Sequence, residues 1–479
     1  YLVITSVNGP DYTTLDAGGA GSHFHFATPG DTLTHVIGLT LKNSSESSFL
    51  ISGSSPRITN CVFKDNVSTG NGGAVNINGD AEVFNDFEYA GSFDGSDYYF
   101  SNDVVTWQEA KDISNAAGGH LVTISSVDEN DFIYSLTNGE ISPWIGLTDE
   151  EVEDNWTWVT GEEATYTNWA EGEPSDSDGE DYVHMWNFDG TWNDANNETE
   201  NEFIIEFATP VDKADPVFTN CTFRDNTAKE HGGAIYMGGG SADSQSTPLF
   251  VSCTIASNDV ISVSDDFLSG YGGGFSSTDN MRPEFVDCQI DSNTVVAGRY
   301  SGFGGGGNIN AVSGGAVTTF TRCTFRGNTV TPNQDAFGGG LYAEGEIELT
   351  NCLISENSSV GGGSDFEGKG GGIYSLLYED YSSESKIINS TIVDNNASSA
   401  GGGSAGGAYF EGNNNVTITM FNNIVWGNTA DEYTSIYKVD DVILDADYND
   451  IEDYDYSLGS NSFGYDPLFT AAATGDFSL

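Results

Sequence analysis

One order of residues recurs along this chain: a cysteine, an asparagine five residues later, then a glycine pair or run. The stretch Pro216 to Gly240 shows it whole, with Phe218, Cys221 and Phe223 marking a β-like run before Asn226 and the pair Gly232-Gly233. The same order links Cys61 to Asn66 and Gly72-Gly73, Cys253 to Asn258 and Gly272, and Cys288 to Asn293 and Gly304. It continues from Cys323 to Asn328 and Gly338, and from Cys352 to Asn357 and Gly370. Ser390 and Asn423 take the cysteine place before Asn395 and Asn428. A fixed offset with a period of roughly thirty to forty residues predicts a solenoid with one coil per repeat. A single coil cannot bury its own apolar side chains, so coils must stack, about 4.8 Å apart. Stacking predicts inward ladders of apolar residues and cysteines, amide ladders of asparagine, and glycine at corners that need positive φ or close backbone approach.

All six cysteines stand at the repeat position. Stacked neighbours come within disulfide reach by Cα distance, although strand geometry opposes the required dihedral. The simpler expectation is a buried ladder of small thiols, with Cys61 and Cys221 on adjacent coils.

Charge narrows the partners. Fourteen Lys and Arg stand against 73 Asp and Glu, a formal net charge of −59. Such a chain has no basic patch for nucleic acid, and an anionic membrane repels it. No apolar run is long enough for membrane insertion. The acidity suits a saline or calcium-rich exterior, where cations screen the surface. The chain begins inside a β-like pattern at Tyr1, and both ends read as cut from a longer, processed, secreted protein. Sequons at Asn43, Asn155, Asn197, Asn357, Asn389, Asn396 and Asn415 are candidates for glycosylation.

The repeat halts after about residue 84 and resumes near residue 209. Between them cysteine vanishes, tryptophan concentrates, and a helical spacing appears for the only time, at Trp107 to Ile113, with Val104 and Ala110 able to share a face. Residues 85–208 therefore read as a domain inserted in a loop between coils 1–84 and 209–479, since loops lie outside a solenoid's stacked core.

The repeats resemble right-handed parallel β-helix proteins, particularly the polymorphic outer-membrane protein type, with GG[AI] and FxxN elements. The expected fold is mainly β: a right-handed parallel β-helix carrying an α+β insertion. The insertion resembles a C-type lectin-like domain on six successive elements: Gly118-Gly119-His120-Leu121, Trp144-Ile145-Gly146-Leu147, Trp156-Thr157-Trp158, Asn168-Trp169, Glu173-Pro174-Ser175 and Trp192-Asn193-Asp194. That resemblance implies calcium as cofactor, held by Glu173, Ser175, Glu180, Asn193 and Asp194 at a primary, sugar-binding site. It implies a second calcium on Asp149, Glu153, Asp176, Glu180 and Asp181, and a cis proline at Pro174. The chain departs from the family in two ways. Ser175 stands where asparagine is usual, and Ser114, Tyr182, Asn197 and Ile205 occupy the places of the family's disulfide cysteines. The glutamate-first motif implies mannose-type over galactose-type sugars.

β-helices also serve as polysaccharide lyases and hydrolases, which need clustered acids beside a base. The bases here, Arg282, Arg299, Arg322 and Arg326, are scattered. The expectation is a non-enzymatic, extracellular or cell-surface lectin or adhesin: a β-helix that displays a glycan-binding domain and that can form homo-polymers. The alternative is a structural fibre or stalk subunit whose lectin-like domain binds no sugar.

Overall fold

The computed structural model describes residues 2–27, 32–79, 87–101, 103–177, 179–207, 213–239, 245–262, 269–311, 317–378, 384–412, 416–439, 441–453, 461–469 and 477. The chain forms two compact units. One comprises Tyr1–Phe26, Asp31–Asp80 and Ala214–Leu479, the other Ala27–Gly30 and Ala81–Lys213. The edges expected at 84/85 and 208/209 lie outside the described residues.

The first unit is a parallel β-helix. Among the described residues its strands stack into parallel sheets of eleven, eleven, ten, seven and five strands. Each coil repeats the register of the last. Phe218 pairs with Ile58 before it and Phe250 after it, and Phe223 pairs with Phe63 and Ile255. Alternate residues of each strand face inward, so like stacks on like. Phe218, Phe250, Phe285 and Phe320 form one such column, with ring centroids 4.8–5.1 Å apart and nearly parallel planes.

Asn66, Asn226, Asn258, Asn293, Asn328, Asn357, Asn395 and Asn428 form a second column at a corner of the coil, seven of them wholly inaccessible. Asn258 shows the pattern. Its Nδ2 donates to Phe223 O on the coil before (3.0 Å) and to Asn293 Oδ1 on the coil after (3.0 Å). Its Oδ1 accepts from the backbone N–H and Nδ2 of Asn226 (3.0 and 2.9 Å). Two donors and two lone pairs are thus all used without water. A shorter ladder, Asn423 to Asn449, takes over where cysteine is lost, and Ser390 N–H donates to Asn423 Oδ1.

The six cysteines are buried in the same core and unbonded to one another by disulfides. Each thiol points to a strand carbonyl, as Cys221 Sγ does to Ile58 O at 3.5 Å, and burial pushes the Cys221 thiol up. Cys61 and Cys221 lie on adjacent coils, joined by Thr222 N–H to Cys61 O at 2.9 Å. The glycine requirement is steric. Gly232 has φ +61°, and a Cβ on Gly233 would stand 2.0 Å from Gly273 O on the next coil.

Among the described residues the second unit holds two four-stranded antiparallel sheets and two helices, α1 (Trp107–Ala116) and α2 (Val127–Leu136). Thr106 and Glu109 close a capping box at the start of α1. Val104 precedes that cap and is exposed, so it does not share the buried face of Ala110. The expectation of a single helix was also wrong. The polar run Asp128 to Asp131 hides the period of α2, although Ser126 three residues before Glu129 marks its start and caps it. Trp107, Trp144 and Trp192 are fully buried, and each indole N–H has an acceptor: Ile145 O, Val105 O and Asn130 Oδ1, all at 2.8 Å.

An Asn258→Ala variant would leave Asn226 N–H without a partner in a dry corner and take one bond each from the Asn226 amide, Phe223 O and Asn293 Oδ1. Each buried orphan costs about 1–3 kcal/mol, so we expect a lower urea midpoint for the β-helix by far-UV circular dichroism. An unchanged midpoint would show that the amide ladder contributes nothing net.

Candidate functional site

Asp194 lies on strand Trp192–Ala195 and is wholly buried. Its carboxylate accepts from Ser175 N–H (2.9 and 3.1 Å to the two oxygens) and from Asp176 N–H (2.8 Å), which fastens the loop after Pro174 to that strand. The Glu173–Pro174 bond is cis. Glu180 closes the loop from its other end: its Oε2 accepts from Ser175 Oγ (3.2 Å) and Ser177 N–H (3.0 Å). Asp176 Oδ1 accepts from Glu180 N–H at 3.3 Å. Asn193 precedes Asp194, and its Nδ2 lies 3.2 Å from His184 Nε2 on the paired strand Tyr182–Met185. Glu173, Ser175, Glu180 and Asp194 of the expected primary set thus meet across two segments, while the Asn193 amide is turned to His184.

Among the described residues no Lys or Arg pairs with these carboxylates. Glu173 Oε2 is buried without a hydrogen-bond donor. Burial first, then the adjacent Asp194 and Glu180 carboxylates, raise the Glu173 carboxyl above its ordinary value. The second expected set behaves alike. Asp149 is buried, its Oδ2 accepts from Asp154 N–H at 3.0 Å, and its Oδ1 has no donor. Burial, with the charges of Asp181 and Asp176, raises the Asp149 carboxyl. Exposed Glu153 is raised chiefly by Asp176, with Asp149 and Asp181 adding to it. Among the described residues no three His, Cys, Asp or Glu side chains already converge as a closed metal cage. Two orphaned carboxylate oxygens within wholly oxygen donor sets nevertheless fit a hard divalent cation, which such carboxylates attract.

Residues 103–207 match the family described as the lectin C-type domain. This unit is a C-type lectin domain. Its relatives include a hepatic lectin of Gallus gallus, 37% identical over 121 residues, which span 25% of this chain and 58% of that protein. C-type lectin domain family 4 member F of Rattus norvegicus is 38% identical over 96 residues, 19% of this chain and 17% of its own. A perlucin-like protein of Mytilus galloprovincialis is 32% identical over 103 residues, 20% of this chain and 66% of its own. The chain therefore spans less than two thirds of each of these proteins. Residues 220–238 of the β-helix match the Chlamydia polymorphic membrane protein repeat.

Other side chains stand where the resemblance implies cysteines in the lectin domain. Tyr182 stacks on Trp107 with centroids 4.8 Å apart. Ser114 and Ile205 are buried, with Ser114 Oγ donating to Ala110 O at 2.7 Å, while Asn197 is exposed. His184 sits edge-on to Trp144 and Trp186, at 5.8 and 4.7 Å, and burial holds its pKa down at about 4. Sequence reasoning passed over His184, whose one local mark was Trp186 two residues on.

The sequons divide. Asn155, Asn197 and Asn389 are exposed, and Asn43 and Asn396 half-buried. Asn357 is removed from the candidates: it is wholly buried in the amide ladder, its Nδ2 bound to Phe325 O and Asn395 Oδ1. Asn415 lies outside the described residues. On the β-helix, Arg322 forks onto Asp287 (2.6 and 2.8 Å) and Arg326 bonds Glu356 (2.9 Å), so both tie neighbouring coils together.

A Glu173→Gln variant separates charge repulsion from cation binding. In EDTA it should melt at the same temperature as the parent or higher, because one of three crowded charges is gone. In calcium the parent should gain more than the variant, since a ligand at 100 times its Kd stabilises by about 2.7 kcal/mol. Scanning calorimetry in both buffers checks this, and equal calcium shifts would remove Glu173 from the site.

Proposed function

We propose that this chain is an extracellular, calcium-dependent carbohydrate-binding protein of adhesin type, with the lectin domain as its binding part. The observation that carries the reading is the orphaned Glu173 oxygen beside Asp194, on a loop that Asp194 itself holds in place. Glu173, Ser175, Glu180, Asn193 and Asp194 would hold the primary cation. Asp149, Glu153, Asp176, Glu180 and Asp181 would hold the second. Bound calcium would supply open coordination positions for two vicinal sugar hydroxyls. The chain's own groups then fix the sugar: the Glu173 carboxylate accepts from a hydroxyl, and the Asn193 amide, turned from His184, donates to one. Asp194 acts mainly by holding the backbone at Ser175 and Asp176. Relatives named as lectins and an asialoglycoprotein receptor 37% identical over 110 residues support a glycan partner, and we take that partner to be neutral and of mannose type.

The Ser175 hydroxyl is a shorter ligand arm than an asparagine amide, and it is engaged with Glu180 and Ser177. Ser175→Asn should therefore keep or strengthen mannose binding. Asp194→Ala should abolish glycan binding while the β-helix keeps its circular dichroism. A glycan array read with calcium and again with EDTA tests the proposal. Binding that survives EDTA, or an Asp194→Ala protein that binds as the parent does, overturns it.

A further inference from the structure

Phe188 is the most exposed large apolar side chain among the described residues of the lectin domain, at 66%. It sits in the turn between strands Tyr182–Met185 and Trp192–Ala195, the second of which carries Asn193 and Asp194. One ring face lies against half-buried Trp186, with centroids 5.4 Å apart and planes 28° from parallel. Trp186 in turn meets His184 at 4.7 Å, and His184 Nε2 lies 3.2 Å from the Asn193 amide. His184 and Asn193 are directly opposed in the hairpin, so their side chains share a sheet face. Trp186, two residues on from His184, continues that face. Trp186 N–H donates to Thr191 O at 2.8 Å and Gly190 N–H to Trp186 O at 3.0 Å, which keeps the turn tight. The aromatic pair is thus a fixed ledge continuous with the residue expected to touch sugar, and not an isolated surface ring.

We propose that Trp186 and Phe188 form a second sugar subsite, which stacks the C–H face of the neutral hexose next to the one held at the primary site. This rests on the sugar-binding reading above. A pyranose presents apolar C–H groups on one face, and an aromatic surface beside polar groups is the usual lining for such an amphipathic ligand. The surroundings select neutral saccharides: exposed Asp189 adjoins the ledge, with its carboxylate turned to Thr191 N–H and Oγ1 (3.0 and 2.6 Å). Uronic or sialic acids would meet that charge and those of Glu173 and Glu180. The ledge therefore makes the lectin domain an oligosaccharide reader, with affinity set by the residue that follows the metal-held sugar.

The test is titration calorimetry of the full chain in calcium, with methyl α-D-mannopyranoside and α-1,2-linked mannobiose as probes. The parent should bind the disaccharide about fivefold more tightly than the monosaccharide, the scale of one aromatic stacking contact. Phe188→Ala should erase that ratio, and Phe188→Tyr should restore it. A parent with no disaccharide preference overturns the subsite and leaves the primary site standing. A Phe188→Ala protein that loses both sugars equally also overturns it, since the ring would then be supporting the fold. A parent that binds neither sugar overturns the sugar-binding reading, and the subsite with it.

Discussion

A buried asparagine amide with two donors and two lone pairs can satisfy itself completely only where three backbones pass within reach. The β-helix is built so that they do. At each coil the amide bonds a carbonyl of the coil before and the asparagine of the coil after, and receives two bonds in return. In a dry corner the alternative is an unmet polar group at each position. The ladder therefore fixes the register of the coils from Asn66 to Asn428 together, and a slip of one residue would orphan the whole column. The stacked phenylalanines add contact area but accept small shifts, whereas amide bonds do not.

That rigidity explains how the chain tolerates a whole domain between two coils. Strands Arg57–Thr59 and Val62–Lys64 pair with Val217–Thr219 and Thr222–Arg224 across the interruption. Asn66 bonds Asn226 at 3.0 Å just as later asparagines bond one another. The coil spacing is set by backbone hydrogen bonds on either side of the loop, so the length of the loop is free.

The lectin domain relies on a different device. With no disulfides, it pins its loops by buried tryptophan indoles and by carboxylates that accept backbone N–H groups. Asp194 does this for the Ser175 loop, and Glu206 for Thr123 (2.9 Å to both N–H and Oγ1). The same acidity that anchors the loops leaves Glu173 and Asp149 with oxygens that have no donor. A structural and a binding role thus share one set of carboxylates, divided by which oxygens the backbone has already taken.

The sequence by itself determined the repeat, because a ladder demands the same residue at the same place in every coil, and Cys221, Asn226 and Gly232 could be read off against their equivalents. It also determined the site motifs, since Glu173-Pro174-Ser175 and Trp192-Asn193-Asp194 are local in the chain. It did not yield α2, where acidic residues obscure the helical period, and the Asn357 sequon was kept as a candidate although its place five residues after Cys352 put it in the amide ladder. Nor could it separate the roles of the site carboxylates. That Asp194 spans to Ser175 and Asp176, that Glu173 is left without a donor, and that Trp186 reaches His184 beside Asn193 are contacts between side chains and backbones that the sequence does not pair. Only the tertiary structure decides them, because hydrogen bonds and burial depend on which backbones meet, and local pattern does not carry that information.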